Sequence, residues 1–333
     1  MFRTIFCLND RGVALLMVLW VLMILMTVVV SFAFLVRAES RATLFFKQKA
    51  EKRFLAEAGI QRAIMELMYR GVAPDSDIRV AGTEPVRVDG TLNTGQLGED
   101  FYTYRIIDES GKIGLNQLND ASGLILINLL VNLGVSKEQA DTIVDSILDW
   151  KDSDELHRLD GAETDYYLSL PVPYRSKNAR FDALDELVMV RGIAPEILYG
   201  SRGKSGIIDF LTVDPAVRAI NLNSAPGEVL AALPGVSREM ADRIVVFRNS
   251  ARIASPEDIE SIVGESFRLM KPYVGTSESN AYSIESTGYK KGEKHGLAVK
   301  AVVTLEGNGK YKYAYYKNPA GVRQGNRPGR EIP

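Results

Sequence analysis

One block near the start sets the hydrophobic pattern of the chain. From Gly12 to Val36 it reads GVALLMVLWVLMILMTVVVSFAFLV, 25 positions without a charge. About 20 such residues carry a helix across the hydrocarbon core of a bilayer, and the polar stripe expected of a buried soluble helix is missing. The run is also longer than the roughly 7–15 apolar residues of a cleaved secretory signal. From Val13 to Ala58 there is neither glycine nor proline. Beyond Arg37 the pattern turns amphipathic: Phe45, Phe46, Phe54, Leu55, Ala58, Ile64, Met65, Leu67 and Met68 recur mostly at spacings of three and four, the period of one helix face. The pattern predicts a single helix over about 13–69, roughly 85 Å long at 1.5 Å per residue. Its first half is apolar all round and its second half needs a partner on one face. Gly59 is a weak interruption, and Gly71 with Pro74 a stop.

Residues 71–100, rich in Gly, Asp, Thr and Pro, read as a loop with short extended pieces. Strand character appears at 101–109 and returns at 281–290, 297–307 and 311–317, where aromatic and branched residues are enriched. Between these lie helical patterns at Leu124–Leu133, Lys137–Trp150, Ala183–Val190, Pro226–Ala232, Arg238–Phe247 and Pro256–Ile262. The simplest architecture is α+β: a small antiparallel sheet on the amphipathic half of the long helix, interrupted after its first strand by an inserted all-α domain. That insert contains an echo. GVSKEQADTIV at 134–144 and GVSREMADRIV at 235–245 agree at 8 of 11 positions, each after a leucine-rich piece. Two related helix-turn-helix units follow, with Ser136 and Ser237 as helix caps.

The 333 residues suffice for two domains, and their 40 basic against 42 acidic residues, net charge −2, weigh against a dedicated nucleic-acid protein. One cysteine, Cys7, and two histidines, His157 and His295, exclude an intrachain disulfide scaffold and a zinc site of several Cys or His ligands. Nucleophile, base and metal do not come together in any pattern, so the reading is not an enzyme. The basic residues Arg3 and Arg11 before the apolar run and Arg37, Arg41, Lys47 and Lys49 after it would by count place the body in the cytoplasm.

The segment with most chemistry is DWKDSDELHRLDGAETD at 149–165, seven acids against Lys151 and Arg158. Carboxylates at spacings of three and two on a chain leaving a helix can wrap a hard cation, with Gly161 allowing a sharp turn. The spacing is not that of an EF-hand loop, and a solvated acidic loop remains the other reading. The second echo unit, 221–252, resembles the helix–hairpin–helix of DNA-binding and DNA-uptake proteins, which would use amides around Gly235 with Arg238 and Arg243 for a phosphate. Four arginines against three acids there scarcely make a basic patch; a packing motif is the plainer reading.

The short leader ending in Arg11-Gly12 ahead of the apolar run resembles the class III signal of type IV pilins and type II secretion pseudopilins. The resemblance implies removal of residues 1–12, Cys7 with them, by a membrane-bound prepilin peptidase cutting between Gly12 and Val13, and methylation of the new amino terminus. Most pilins carry glutamate at the fifth mature position; here it is Met17. That departure, and the blocks at 110–120, 147–155, 161–167, 173–192 and 220–235, are similar to the minor pseudopilin K family of the general secretion pathway. The resemblance implies a pilin-like fold with transmembrane helix 13–36, pilin-like parts 37–114 and 271–333, and the α domain 115–270. It also implies an inner-membrane anchor with the globular part in the periplasm. The expected partners are minor pseudopilins I and J at the pseudopilus tip, and secreted substrates. A structural calcium ion is expected on Asp152, Asp154 and Glu163, followed by Asp149 and Asp165. Two alternatives stay open: a membrane-anchored DNA-binding or uptake protein, and a minor pilin of a type IV pilus.

Overall fold

The computed structural model describes residues 10–72, 86–201 and 204–320, with side chains of the first segment from 14 to 70. Helix α1 (Asp10–Val72) is unbroken over 63 residues, about 95 Å at 1.5 Å per residue. From 14 to 50 its side chains are exposed on every face, and among the described residues it is the one helix long and apolar enough to cross a membrane. Cys7 and the rest of the leader up to residue 9 lie outside the described residues. Gly12 and Val13, the expected cleavage pair, lie in the helical backbone at the start of α1. Met17 is 64% exposed on the apolar half.

Below residue 50 one face of α1 becomes core. Leu55, Ala56, Ile60, Ala63, Ile64 and Leu67 are each 5% exposed or less, at the three-and-four spacing that amphipathic helices use. They pack on a five-stranded antiparallel sheet of order β1-β2-β7-β8-β9, formed by β1 (Asp89–Leu97), β2 (Asp100–Asp108), β7 (Ala281–Tyr289), β8 (Leu297–Gly307) and β9 (Lys310–Ala320). Register places Ile106 opposite Ile284 and Ile284 opposite Ala301. Alternate positions Tyr104, Ile106, Ile284, Val299, Ala301 and Val303 therefore face the helix and form one core with it. Each such large side chain contributes about 1.5–3 kcal/mol on burial. Strand β1, in the stretch read as loop, joins β2 through a two-residue turn at Gly98-Glu99, with Gly98 at φ 64°. The β8–β9 turn is Asn308-Gly309, both at positive φ, as tight hairpins require.

Helix and sheet approach closely at two glycines, one on each element. A Cβ on Gly288 would lie 2.2 Å from the Lys52 carbonyl oxygen, and one on Gly59 would lie 2.2 Å from Ser286 Oγ. Backbone cannot step aside as a hydroxyl can. Gly288→Ala is expected to cost about 1–3 kcal/mol and Gly59→Ala less, since alanine also favours helix; denaturant unfolding of the two variants checks the order.

Between β2 and β7 the chain leaves the sheet and builds a second core around Ile143, Ile147, Trp150, Tyr167, Leu187 and Ile244. Its helices are α2 (Gly123–Asn132), α3 (Lys137–Lys151), α4 (Thr164–Leu168), α5 (Pro195–Tyr199), α6 (Gly227–Leu230), α7 (Arg238–Ser250), α8 (Glu260–Val263) and α9 (Ser266–Met270). Two parallel bridges brace the loops: β3 (Ile113–Gly114) with β4 (Leu211–Thr212), and β5 (Ile220–Asn221) with β6 (Val274–Gly275). Residues 184–189, expected as a helix, form a tighter 3-10 stretch. The echo is real in three dimensions. α2–α3 and α6–α7 each turn at a glycine of positive φ, Gly134 at 96° and Gly235 at 76°. Ser136 and Ser237 then cap α3 and α7, accepting from the Gln139 and Met240 amides. Asn128 and Asn132 of α2 donate to the carbonyls of Ala232 and Ala231 after α6, tying the two units together.

Where the chain leaves and rejoins the sheet, the contacts are polar and buried. The Asp108 carboxylate, 0% exposed, accepts from the Ser110 amide and hydroxyl, from the Ser279 amide and hydroxyl and from Asn221. Beside it Lys112 pairs with Glu109 and donates to Ser283 Oγ at 2.8 Å, and that hydroxyl donates to Glu109 at 2.6 Å. On the sheet face away from α1, Lys300 bridges Glu285 and Asp209 of the insert.

Candidate metal centre

Helix α3 buries one face through Ala140, Ile143, Val144 and Ile147, and its last turn delivers Asp149 to a position with no solvent exposure. Trp150, the next residue, locks the helix end by packing edge-on against Tyr167 of α4, ring centroids 5.1 Å apart. The loop between α3 and α4 must then fold back over Asp149. Gly161 makes this possible, because a Cβ there would sit 1.9 Å from Asp149 Oδ2, and Arg191 Nη1 holds the Gly161 carbonyl at 2.8 Å. The expected role of Gly161 in a sharp turn becomes a more specific one: space for a carboxylate.

Three carboxylates converge in this fold. Asp149, Asp152 and Glu163 can place one oxygen each within 4.8 Å of one another. Glu163 is 1% exposed, yet neither of its oxygens has a hydrogen-bond partner, and the buried Oδ1 atoms of Asp152 and Asn178 have none either. Burial, with the charges of Asp149 and Asp152 beside it, pushes the Glu163 carboxyl up to about 7. Burial likewise raises Asp149, against the hydrogen bonds of Arg158. Unpartnered buried oxygens crowded with like charge are the environment in which a cation replaces lost solvation. The donors are all oxygen, which suits a hard cation and not zinc or copper.

Of the five ligands expected, the structure brings Asp149, Asp152 and Glu163 together. Asp154 is exposed and accepts the Leu156 amide at 2.9 Å, and Asp165, also exposed, accepts the Tyr166 amide at 2.7 Å; both lie outside the group. Asn178 was not foreseen: 15 residues beyond Glu163, it takes positive φ at 48° and donates to Glu155 at 2.9 Å. Arg158 is the other addition. Its Nη1 binds Asp149 at 2.7 Å and Asp152 at 2.8 Å, and its Nε binds Asp120 at 2.8 Å.

The residues of the helix–hairpin–helix reading have internal uses. The Gly235 carbonyl accepts from Ser266 Oγ at 2.7 Å, and Arg238 pairs with Asp242 at 3.4 Å. Arg243 is exposed on α7. His157 and His295 are both exposed.

A membrane-length helix packed onto an antiparallel sheet, with an α region inserted between neighbouring strands, is a pilin-like architecture. Residues 110–200, which include the acidic centre, match the profile of type II secretion system (T2SS), protein K. The chain is 29% identical over 207 residues to type II secretion system protein K of Pectobacterium carotovorum subsp. carotovorum, a match covering 57% of this chain and 60% of that protein. The protein K of Pseudomonas aeruginosa is 26% identical over 211 residues, covering 61% and 60%. The chain thus spans about 60% of the length of these curated relatives. A chain of the solved GspK-GspI-GspJ complex from enterotoxigenic Escherichia coli shares the fold at TM-score 0.57 and 15% identity, covering 85% of this chain and all of that one. Over its central part the chain is similar to the type II secretion system protein K of several bacteria.

Proposed function

We propose that this chain is a non-enzymatic minor pseudopilin at the tip of the type II secretion pseudopilus, where it helps initiate assembly and supports export of folded proteins across the outer membrane. The observation that carries the reading is the insert. A pilin-like sheet that stacks through its helix has here gained 172 residues between β2 and β7 (109–280), bulk that would obstruct a subunit placed above it. The solved chain that shares this fold comes from a three-protein complex, and minor pseudopilins I and J are the proposed partners. Residues 13–36 would hold the chain in the inner membrane with the body in the periplasm, after prepilin peptidase cleaves between Gly12 and Val13. The division into 37–114 and 271–333 for the pilin-like part and 115–270 for the α domain belongs to the same proposal. Met17 fits a terminal position, since a buried carboxylate–ammonium pair that sets register between neighbours is dispensable at an end. Co-purification of the chain with minor pseudopilins I and J tests the reading; absence of any complex overturns it.

The acidic centre is proposed as a structural calcium site held by Asp149, Asp152 and Glu163, with Asn178 Oδ1 as a further oxygen. Bound there, the ion supplies charge that binds α3 to the loop before α4. Calcium-dependent change in the fluorescence of Trp150, measured in a Trp20→Phe background, is the direct assay, and indifference to calcium refutes the assignment.

A further inference from the structure

We propose that Arg158 is a built-in counter-cation of the acidic centre: its guanidinium holds Asp149 and Asp152 while the centre is ion-free and yields them when a divalent cation binds. This side chain would then set how tightly the ion is held. The inference rests on the calcium reading above.

Arg158 Nη1 reaches Asp149 Oδ1 and Asp152 Oδ2 at 2.7 and 2.8 Å. Both Glu163 oxygens and Asp152 Oδ1, in the same group of carboxylates, are buried and unpartnered. The guanidinium therefore satisfies only part of the carboxylate charge. Burial opposes its own charge, but Asp120, Asp152 and Asp149 hold it firmly protonated. A fixed positive charge one hydrogen bond from two ligands works against an incoming divalent ion.

Two further features let the side chain move without unmaking the loop. Asp149 is also held by the Arg158 main-chain amide at 3.1 Å, and the Arg158 carbonyl accepts the Gly161 amide at 3.1 Å; neither contact involves the guanidinium. Asp120, already bonded to Nε, has a side chain 78% exposed, so a partner waits on the solvent side. Charge, and not the two-pronged shape of the group, is what opposes the ion, which separates lysine from glutamine as replacements.

The test is calorimetric titration of chelator-treated full chain in detergent micelles with calcium chloride at pH 7. Arg158→Gln is expected to bind calcium about tenfold or more tightly than wild type, and to melt earlier than wild type when ion-free. Arg158→Lys stays within about threefold of wild-type affinity if charge is the cause. Should the ion-free glutamine variant not fold, competition against a chelator of known affinity, starting from loaded protein, gives the same comparison. Wild-type binding with an Arg158→Gln affinity equal or weaker overturns the inference and leaves the calcium site standing. Equal tightening by lysine and glutamine also overturns it. Binding by neither wild type nor Arg158→Gln overturns the site and the inference together.

Discussion

Lys112→Met is expected to lower the unfolding free energy by about 3–5 kcal/mol, the range for breaking one half of a buried ion pair. The lysine is 2% exposed and Glu109 3% exposed, so the carboxylate left behind cannot reach water. Burial alone would raise Glu109; Lys112, with the Ser283 and Thr212 hydroxyls, holds it below the ordinary carboxylate range instead. The sign of the pH dependence follows. In wild type the Glu109 contribution is present above the unfolded carboxyl value near 4.5 and is lost as pH falls through its depressed folded value. In the variant burial prevails, the folded carboxyl rises above the unfolded one, and acidification narrows the deficit. Double replacement, Lys112→Met with Glu109→Leu, removes both charges and is expected to recover much of the loss. Denaturant unfolding of the four proteins of that cycle between pH 4 and 7 is the measurement. A single-variant loss under about 1 kcal/mol would mean that the pair is solvated and that the junction is held by Asp108 and its partners.

The parts of this fold that were legible in the sequence are those governed by period. The apolar run and the three-and-four spacing from Leu55 to Leu67 define α1, and alternation in 297–307 defines β8 to the residue. The doubled GVS segment foretold two capped hairpins. What escaped is set by tertiary context. Strand β1, DGTLNTGQL, has glycines and polar residues that argue for loop, and it is a strand because β2 offers an edge and Gly98 a turn. In the acidic loop, composition could say that oxygens were abundant, not which of them met. Asp152 and Asp154 differ by two residues, yet one turns inward and the other caps a turn. What marks the inward ones is tertiary: Gly161 closes over Asp149 and Arg158 reaches both Asp149 and Asp152. Arg158 was visible as a charge but not as a bridge.

Calcium is expected to stabilise the wild-type chain and to do nothing for Glu163→Gln. Binding to the folded state alone adds RT ln(1 + [L]/Kd), about 4 kcal/mol at a thousandfold excess over Kd, so a chelator should lower the melting temperature by several degrees. The variant keeps the shape of the side chain and removes the charge on the residue whose two oxygens are both unpartnered. Without the ion the order reverses, and pH reveals it. A folded carboxyl raised to about 7 means that the folded state binds more protons than the unfolded one between about 4.5 and 7. Stability from this group is therefore full at low pH and lost as pH rises through that window. In chelator, wild type should match Glu163→Gln near pH 4 and fall below it by pH 7; with calcium at pH 7 wild type should stand above it. The crossing is diagnostic because the carboxylates outside the centre are common to both proteins and cancel in the difference, while Asp149 and Asp152 titrate together with Glu163. Parallel melting curves at every pH, with and without calcium, would show that Glu163 is solvated and that the three carboxylates do not act as one centre.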